Sequence, residues 1–152
     1  MRVKDAMHDG AETATPSMPV TEIAGIMARH DIGAVPVVDT SGLIGMVTDR
    51  DIACKALAGN KPPAQISAKD VMTKAPVYCR EAEEISDAIH LMENNQIRRL
   101  PVLDADDKLV GMLSLGDIAH ATSQDMTGEL AKAVSGHHEK PEILESSGQI
   151  DT

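Results

Sequence analysis

The sequence predicts an α/β (α+β) fold made of two tandem copies of one unit, strand–helix–strand–strand–helix, related by a pseudo-twofold. Three observations predict it. Matching segments recur at a spacing of 65 residues. Each copy carries two short apolar strands joined by a polar turn. Each also carries a stripe of apolar residues at helical spacing ahead of those strands.

The repeat is legible segment by segment. VKDAM (3–7) returns as AKDVM (68–72), and VTEIAGIMARHDI (20–32) as ISDAIHLMENNQI (85–97). AVPVVD (34–39) returns as RLPVLD (99–104), and LIGMVTDRDIA (43–53) as LVGMLSLGDIA (109–119). The second copy gains one residue in the turn after the proline-containing strand, and both flanks stay in register.

In chain order, a short strand is expected near 11–14 and near 76–79. The first helix follows, with Val20, Ile23, Ala24 and Met27 on its apolar side in copy one and Ile85, Ala88, Ile89 and Met92 in copy two. Pro19 suits the first turn of that helix. VPVV and LPVL read as strands whose Pro36 and Pro101 favour a start or an edge. DTSG and DADDK are turn chemistry, so the strands at 43–48 and 109–114 should return antiparallel. Each runs directly into a second helix, near 49–59 and 115–124. The expected division is 1–60 for repeat one, 61–124 for repeat two, with LAGNKPPAQISA (57–68) as linker, and 125–152 as a helical extension and polar tail.

Composition narrows the function. The 152 residues hold 14 Lys and Arg against 24 Asp and Glu, a formal net charge of −10, which disfavours a phosphate backbone as partner. Tyr78 is the only aromatic residue, so no platform exists for stacking bases. Nine methionines help fill the core. Cys54 and Cys79 have no metal-like spacing and fit a reducing, cytoplasmic location. The opening MRVKDAMHDG does not read as a signal peptide, and no apolar run approaches a membrane span.

The spacing richest in chemistry is Gly-x-x-Thr/Ser-x-x-Asp: Gly45, Thr48 and Asp51, then Gly111, Ser114 and Asp117. It falls where a strand turns into a helix. One reading is a capping box, in which hydroxyl and carboxylate satisfy each other's backbone N–H groups and glycine only permits tight packing. The other is a sugar–phosphate site, with the carboxylate on ribose hydroxyls, the Thr or Ser on sugar or phosphate, and N–H groups at the strand-to-helix turn facing the anion. Spacing alone leaves both open.

The proline strand together with the Gly-x-x-Thr/Ser-x-x-Asp turn, each present twice in the same order, resembles the CBS domain; two in tandem resemble a CBS pair, or Bateman module. The match spans about residues 3–124 and is similar to stand-alone bacterial pairs, including the hypoxic-response type. The resemblance implies an α/β fold, association of two modules through their helices into a homodimer, and clefts that bind AMP, ADP, ATP or S-adenosylmethionine. It implies that Asp51 with Thr48, and Asp117 with Ser114, hold the ribose. Thr13 with Ala14, and Val77 with Tyr78, match the region that contacts the base. IRRLPVLD (97–104) resembles the basic segment of nucleotide-sensing CBS proteins, among them the gamma subunits of AMP-activated kinases, which places Arg98 and Arg99 at phosphates. Gly33 and Ala34 supply no charge in copy one, where Arg50 is the candidate substitute. Strand alternation sends Arg98 and Arg99 to opposite faces, and the match favours Arg99.

Other signals are weaker. His137, His138 and Glu139 are too few and too close together for a closed tetrahedral metal site. His30, His90 and His120 read as ordinary surface or interface residues on helices, and His8 has no evident partner. No P-loop, nucleophile elbow or His-Glu-x-x-His helix occurs, and no catalytic residue is assigned. The expectation is a regulatory, non-enzymatic CBS pair that needs no cofactor and senses an adenosyl ligand. It would signal through a homodimer or an effector protein, without nucleic acid or membrane. The rival expectations are a ligand-free interaction module and a metal-responsive protein.

Overall fold

The computed structural model describes residues 1–121 together with Lys132 and Val134. Copy one contains α1 (Val3–Ala6), β1 (His8–Asp9), α2 (Val20–His30), β2 (Ala34–Asp39), β3 (Gly42–Thr48) and α3 (Asp49–Asp51), which continues as a π-helical stretch over Ile52–Leu57. A 3₁₀ turn at Pro63–Gln65 leads to copy two: α4 (Ala68–Val71), β4 (Thr73–Lys74), β5 (Cys79–Arg80), α5 (Ile85–Asn95), β6 (Arg99–Leu103), β7 (Leu109–Ser114) and α6 (Leu115–Ala121).

Two hairpins form the centre. β2 and β3 pair antiparallel from Ala34↔Thr48 to Asp39↔Gly42, and β6 and β7 from Arg99↔Ser114 to Leu103↔Leu109. Turn chemistry explains both: Asp39 accepts from the Ser41 N–H at 2.8 Å, and Asp104 from the Asp106 N–H at 2.8 Å. The strands expected before the first helices are short. β5 runs parallel to β6, whereas its counterpart in copy one is reduced to a parallel bridge of Ala14 with Val37.

The two halves exchange matching segments. β1 pairs antiparallel with β7, and β4 with β3, so one sheet runs β1-β7-β6-β5 and the other β2-β3-β4. The short helices cross over too. Val3 is fully buried in a core with Cys79, Ile85, Met92, Leu100 and Leu113, while Ala68 and Val71 are buried with Val20, Ile23, Val35, Val37 and Val47. VKDAM and AKDVM thus recur because each presents one apolar face to the partner repeat. An Arg2↔Glu84 bridge fastens one crossing and a Pro19↔Ser67 bridge the other.

This exchange explains the motif glycines. A β-carbon at Gly111 would overlap the His8 carbonyl oxygen, and one at Gly45 would overlap the Met72 side chain. At Gly111 the backbone of the crossing strand leaves room for hydrogen alone, and at Gly45 the Met72 side chain fills the space.

Three details depart from the sequence reading. Ala24 is exposed and Ile26 is buried in its place, so the apolar side of α2 is Val20, Ile23, Ile26 and Met27. Pro19 is the cap before α2 rather than its first residue. Pro101 is the third residue of β6, which runs between β7 and β5 and so is neither a start nor an edge position, whereas Pro36 does fall on an edge strand, β2. Of segment 125–152, Lys132 and Val134 are helical and Val134 packs on the second core; His137, His138 and Glu139 lie outside the described residues.

Candidate functional site

Each β-hairpin ends in a Thr or Ser that caps the following helix. The Thr48 N–H donates to Asp51 Oδ2 at 2.9 Å and the Asp51 N–H to Thr48 Oγ1 at 3.1 Å. The Ser114 N–H donates to Asp117 Oδ2 at 2.9 Å and the Asp117 N–H to Ser114 Oγ at 3.0 Å. Both capping boxes are therefore present, with the same carboxylate oxygen used in each. A capping carboxylate has a second oxygen, so the two readings of the motif are compatible.

The second oxygens differ. Asp51 is 9 % exposed, and its Oδ1 sits 3.1 Å from Lys55 Nζ, which also donates to the Val71 carbonyl at 3.1 Å. The residue matching Lys55 in copy two is Ala121. Asp117 Oδ1 has no hydrogen-bond or ion-pair partner among the described residues.

Asp117 also borders a cleft of about 640 Å³, sufficient for a nucleotide-sized ligand. Its walls come from both halves of the chain. β1 and the residues after it supply His8, Asp9 and Glu12; the turn from α2 into β2 supplies His30, Asp31 and Gly33; and copy two supplies Arg99, Ser114 and Asp117. Arg99 reaches this position because β6 begins opposite Ser114, and the Leu115 N–H donates to the Arg98 carbonyl at 2.8 Å. A β-carbon on Gly33 would stand 2.9 Å from Asp49 Oδ2 and 3.1 Å from Arg99 Nη2, so glycine opens the space that Arg99 enters.

The remaining residues singled out in the sequence lie elsewhere. Arg98 and Arg50 are exposed and do not line this cleft. Thr48 and Asp51 do not line this cleft. Thr13 borders a separate depression of about 580 Å³ between the two hairpin turns. Ala14 is sealed against Val37, and Val77 packs on the second core. Tyr78 is 41 % exposed under the Arg80 guanidinium, 5.5 Å from its ring centroid.

Sequence reasoning missed His8, Asp9, Glu12, His30, Asp31 and Gly33 as cleft walls. The signal was present in the repeat itself: HDIG directly precedes the strand that faces RR in the other copy. His30 Nε2 lies 3.6 Å from Glu12 Oε1 at this wall. Among the lining residues four are carboxylic acids and Arg99 is the one Lys or Arg.

Neither thiol belongs to the cleft. Burial pushes Cys79 up to about 12, with the Glu83 carboxylate adding to the effect, whereas Cys54 is exposed. The described residues contain no group of three or more His, Cys, Asp or Glu placed to hold a metal. They also contain no helix long and apolar enough to cross a membrane.

Comparison with known proteins gives the geometry its context. The family model for the CBS domain matches residues 3–56 and again 68–123. Hypoxic response protein 1 of Mycobacterium tuberculosis is 33% identical over 132 residues, 86% of this chain and 92% of that one. The crystal structure of Hypoxic Response Protein I, with two coordinated zinc ions, superposes with a TM-score of 0.74 over 81% of this chain and 100% of that one. CBSX2 of Arabidopsis thaliana in complex with AMP is 29% identical, with a TM-score of 0.69 over 79% of this chain and 94% of that one. The CBS domain pair of MJ0100 in complex with 5′-methylthioadenosine and S-adenosyl-L-methionine is 30% identical, with a TM-score of 0.70 over 79% of this chain and 94% of that one.

Proposed function

The chain belongs to the CBS-domain family as a tandem pair, and from that premise we propose that it is a regulatory sensor that holds an adenosyl ligand in the Asp117 cleft and acts without catalysis. The supporting observation is a cleft in which a strand-end carboxylate with an open oxygen, a serine hydroxyl and an arginine from the same repeat meet. Asp117 Oδ1 takes the ribose hydroxyls while Oδ2 keeps the helix cap. Ser114 assists at the sugar. Arg99 meets the anionic end, and the segment from His8 to Glu12 walls the base. Relatives of similar fold bind AMP and S-adenosyl-L-methionine, which is the ligand class this arrangement suits.

The lining charge limits the ligand's tail. Asp9, Glu12, Asp31 and Asp117 surround a single arginine. Like charges at close range oppose a triphosphate, so a monophosphate or a zwitterionic tail is favoured over ATP. Ligand acts by favouring one arrangement of the repeats within a homodimer or against an effector protein. The site of action is the cytoplasm.

Calorimetry of protein freed of copurified ligand tests this. AMP or S-adenosylmethionine should release heat, ATP should bind more weakly, and Asp117→Ala should cost about 10- to 100-fold in affinity, the worth of hydrogen bonds to a charged group. Silence with all three ligands would favour a ligand-free interaction module, in which both Asp residues are caps and nothing more.

A further inference from the structure

We propose that each chain holds one adenosyl ligand rather than two, because Lys55 occupies the carboxylate of the first repeat as a built-in substitute for ligand. The inference rests on the reading of the Asp117 cleft given above and extends it to the other copy.

The two repeats provide an internal control. Their strand-end boxes are the same in donor, acceptor and distance: Oδ2 of each Asp accepts from the Thr48 or Ser114 N–H at 2.9 Å. What differs is the other oxygen. Lys55, one helical turn after Asp51, places its ammonium 3.1 Å from Oδ1. The corresponding Ala121 has no side chain with which to do so. A ribose hydroxyl seeking Asp51 would have to displace a cation from a carboxylate that is 9 % exposed. Removing one partner of such a pair leaves a poorly hydrated charge behind.

Lys55 is also held from a second direction. Its ammonium donates to the Val71 carbonyl at 3.1 Å, at the end of α4. That helix belongs to copy two and is packed into the core of copy one, with Val71 2 % exposed. The lysine therefore bridges a carboxylate of one repeat and a backbone acceptor of the other, and the exchange of segments fixes both ends. Of the two strand-end carboxylates, Asp117 borders the cleft of about 640 Å³ and keeps an oxygen without a protein partner among the described residues, whereas Asp51 does neither.

The test is stoichiometry. Titration calorimetry with AMP, repeated with S-adenosylmethionine, should give one ligand per chain for the natural sequence, and Asp117→Asn should weaken that one site by about 10- to 100-fold. Lys55→Ala, which copies the residue at position 121, should raise the count to two. The double variant Lys55→Ala/Asp117→Asn should keep one site at full affinity and weaken the other. Two ligands per chain in the natural protein, or unchanged affinity in Asp117→Asn, would overturn the proposal, as would a Lys55→Ala count that stays at one. The pair itself is read without ligand, by the ¹⁵N signal of the Lys55 ammonium, which should shift in Asp51→Asn; no shift would remove the lock. If every protein is silent to both ligands while that shift is present, the adenosyl reading fails and the one-ligand count with it, although Lys55 still holds Asp51.

Discussion

Gly33 of the first repeat and Arg99 of the second meet face to face: Arg99 Nη2 lies 3.1 Å from the place a β-carbon on residue 33 would take. The same point is 2.9 Å from Asp49 Oδ2. Glycine at 33 and arginine at 99 fit together because these two positions share one space across the boundary. Only one of them can fill it. The charge thus comes from one side, and the resulting cleft is unequal by construction.

Gly33→Ala should leave the fold intact, since the atoms it meets are the ends of two flexible side chains. It should displace Arg99 and weaken AMP binding several-fold. Arg99→Ala should weaken it similarly, and the double variant should lose little more than either single change, because both act on one contact. Strict additivity in titration calorimetry would refute the link.

Gly111→Ala should destabilise more than Gly45→Ala. The new methyl group at 111 meets the His8 backbone carbonyl, which cannot move without breaking β1 from β7, whereas at 45 it meets the movable Met72 side chain. Overpacking of this kind costs about 1–3 kcal/mol, and each kcal/mol is about 2–4 °C in Tm for a chain of this size. Equal melting temperatures for the two variants would argue against the crossing-strand account.

The thiols should react in two steps. At pH 8 a disulfide reagent should modify Cys54 at once and Cys79 only after denaturation, since burial holds the Cys79 thiol protonated up to about 12. Because that folded value lies above the ordinary 9.0, the unfolded chain loses this proton first. Stability should therefore fall as pH rises from about 9 towards about 12, and Cys79→Ala should remove that part of the slope. Two fast thiols in native protein would contradict the buried placement.

Acid should act in the opposite sense at three turn and cap carboxylates. The Ser41 hydroxyl holds Asp39 below its ordinary value, the Ser67 backbone N–H does so for Asp70, and the Lys108 backbone N–H for Asp104. Each binds protons more readily when unfolded. Their contribution is present above the ordinary carboxylate range and is lost as pH falls through the lowered values. Asp39→Asn/Asp70→Asn/Asp104→Asn should flatten the acid limb of the Tm–pH curve; an unchanged limb would assign acid unfolding to other groups.

The repeat, the hairpins and the helix stripe of copy two were legible in the sequence because each is a local pattern. Ile85, Ala88, Ile89 and Met92 are all buried, as their spacing predicts. Ala24 was misread because alanine is compatible with either side of a helix, while Ile26 fell one residue off the assumed stripe. The segment exchange was not legible: VKDAM and AKDVM look alike, and nothing local says that each completes the other repeat's core. The same limit applied to the candidate site. The Ser114–Asp117 box is a short-range pattern, but His8, Glu12 and Gly33 join it only through long-range packing. Lys55 was overlooked since Asp51 and Lys55 at i, i+4 resemble any surface pair on a helix.

The most direct measurement is a crystal structure of the protein grown with AMP. The account predicts one nucleotide per chain, its ribose hydroxyls within hydrogen-bond distance of Asp117 Oδ1 and its phosphate beside Arg99, with Lys55 still on Asp51. A nucleotide bound against Asp51, or a Ser114–Asp117 cleft left empty at saturating AMP, would contradict it.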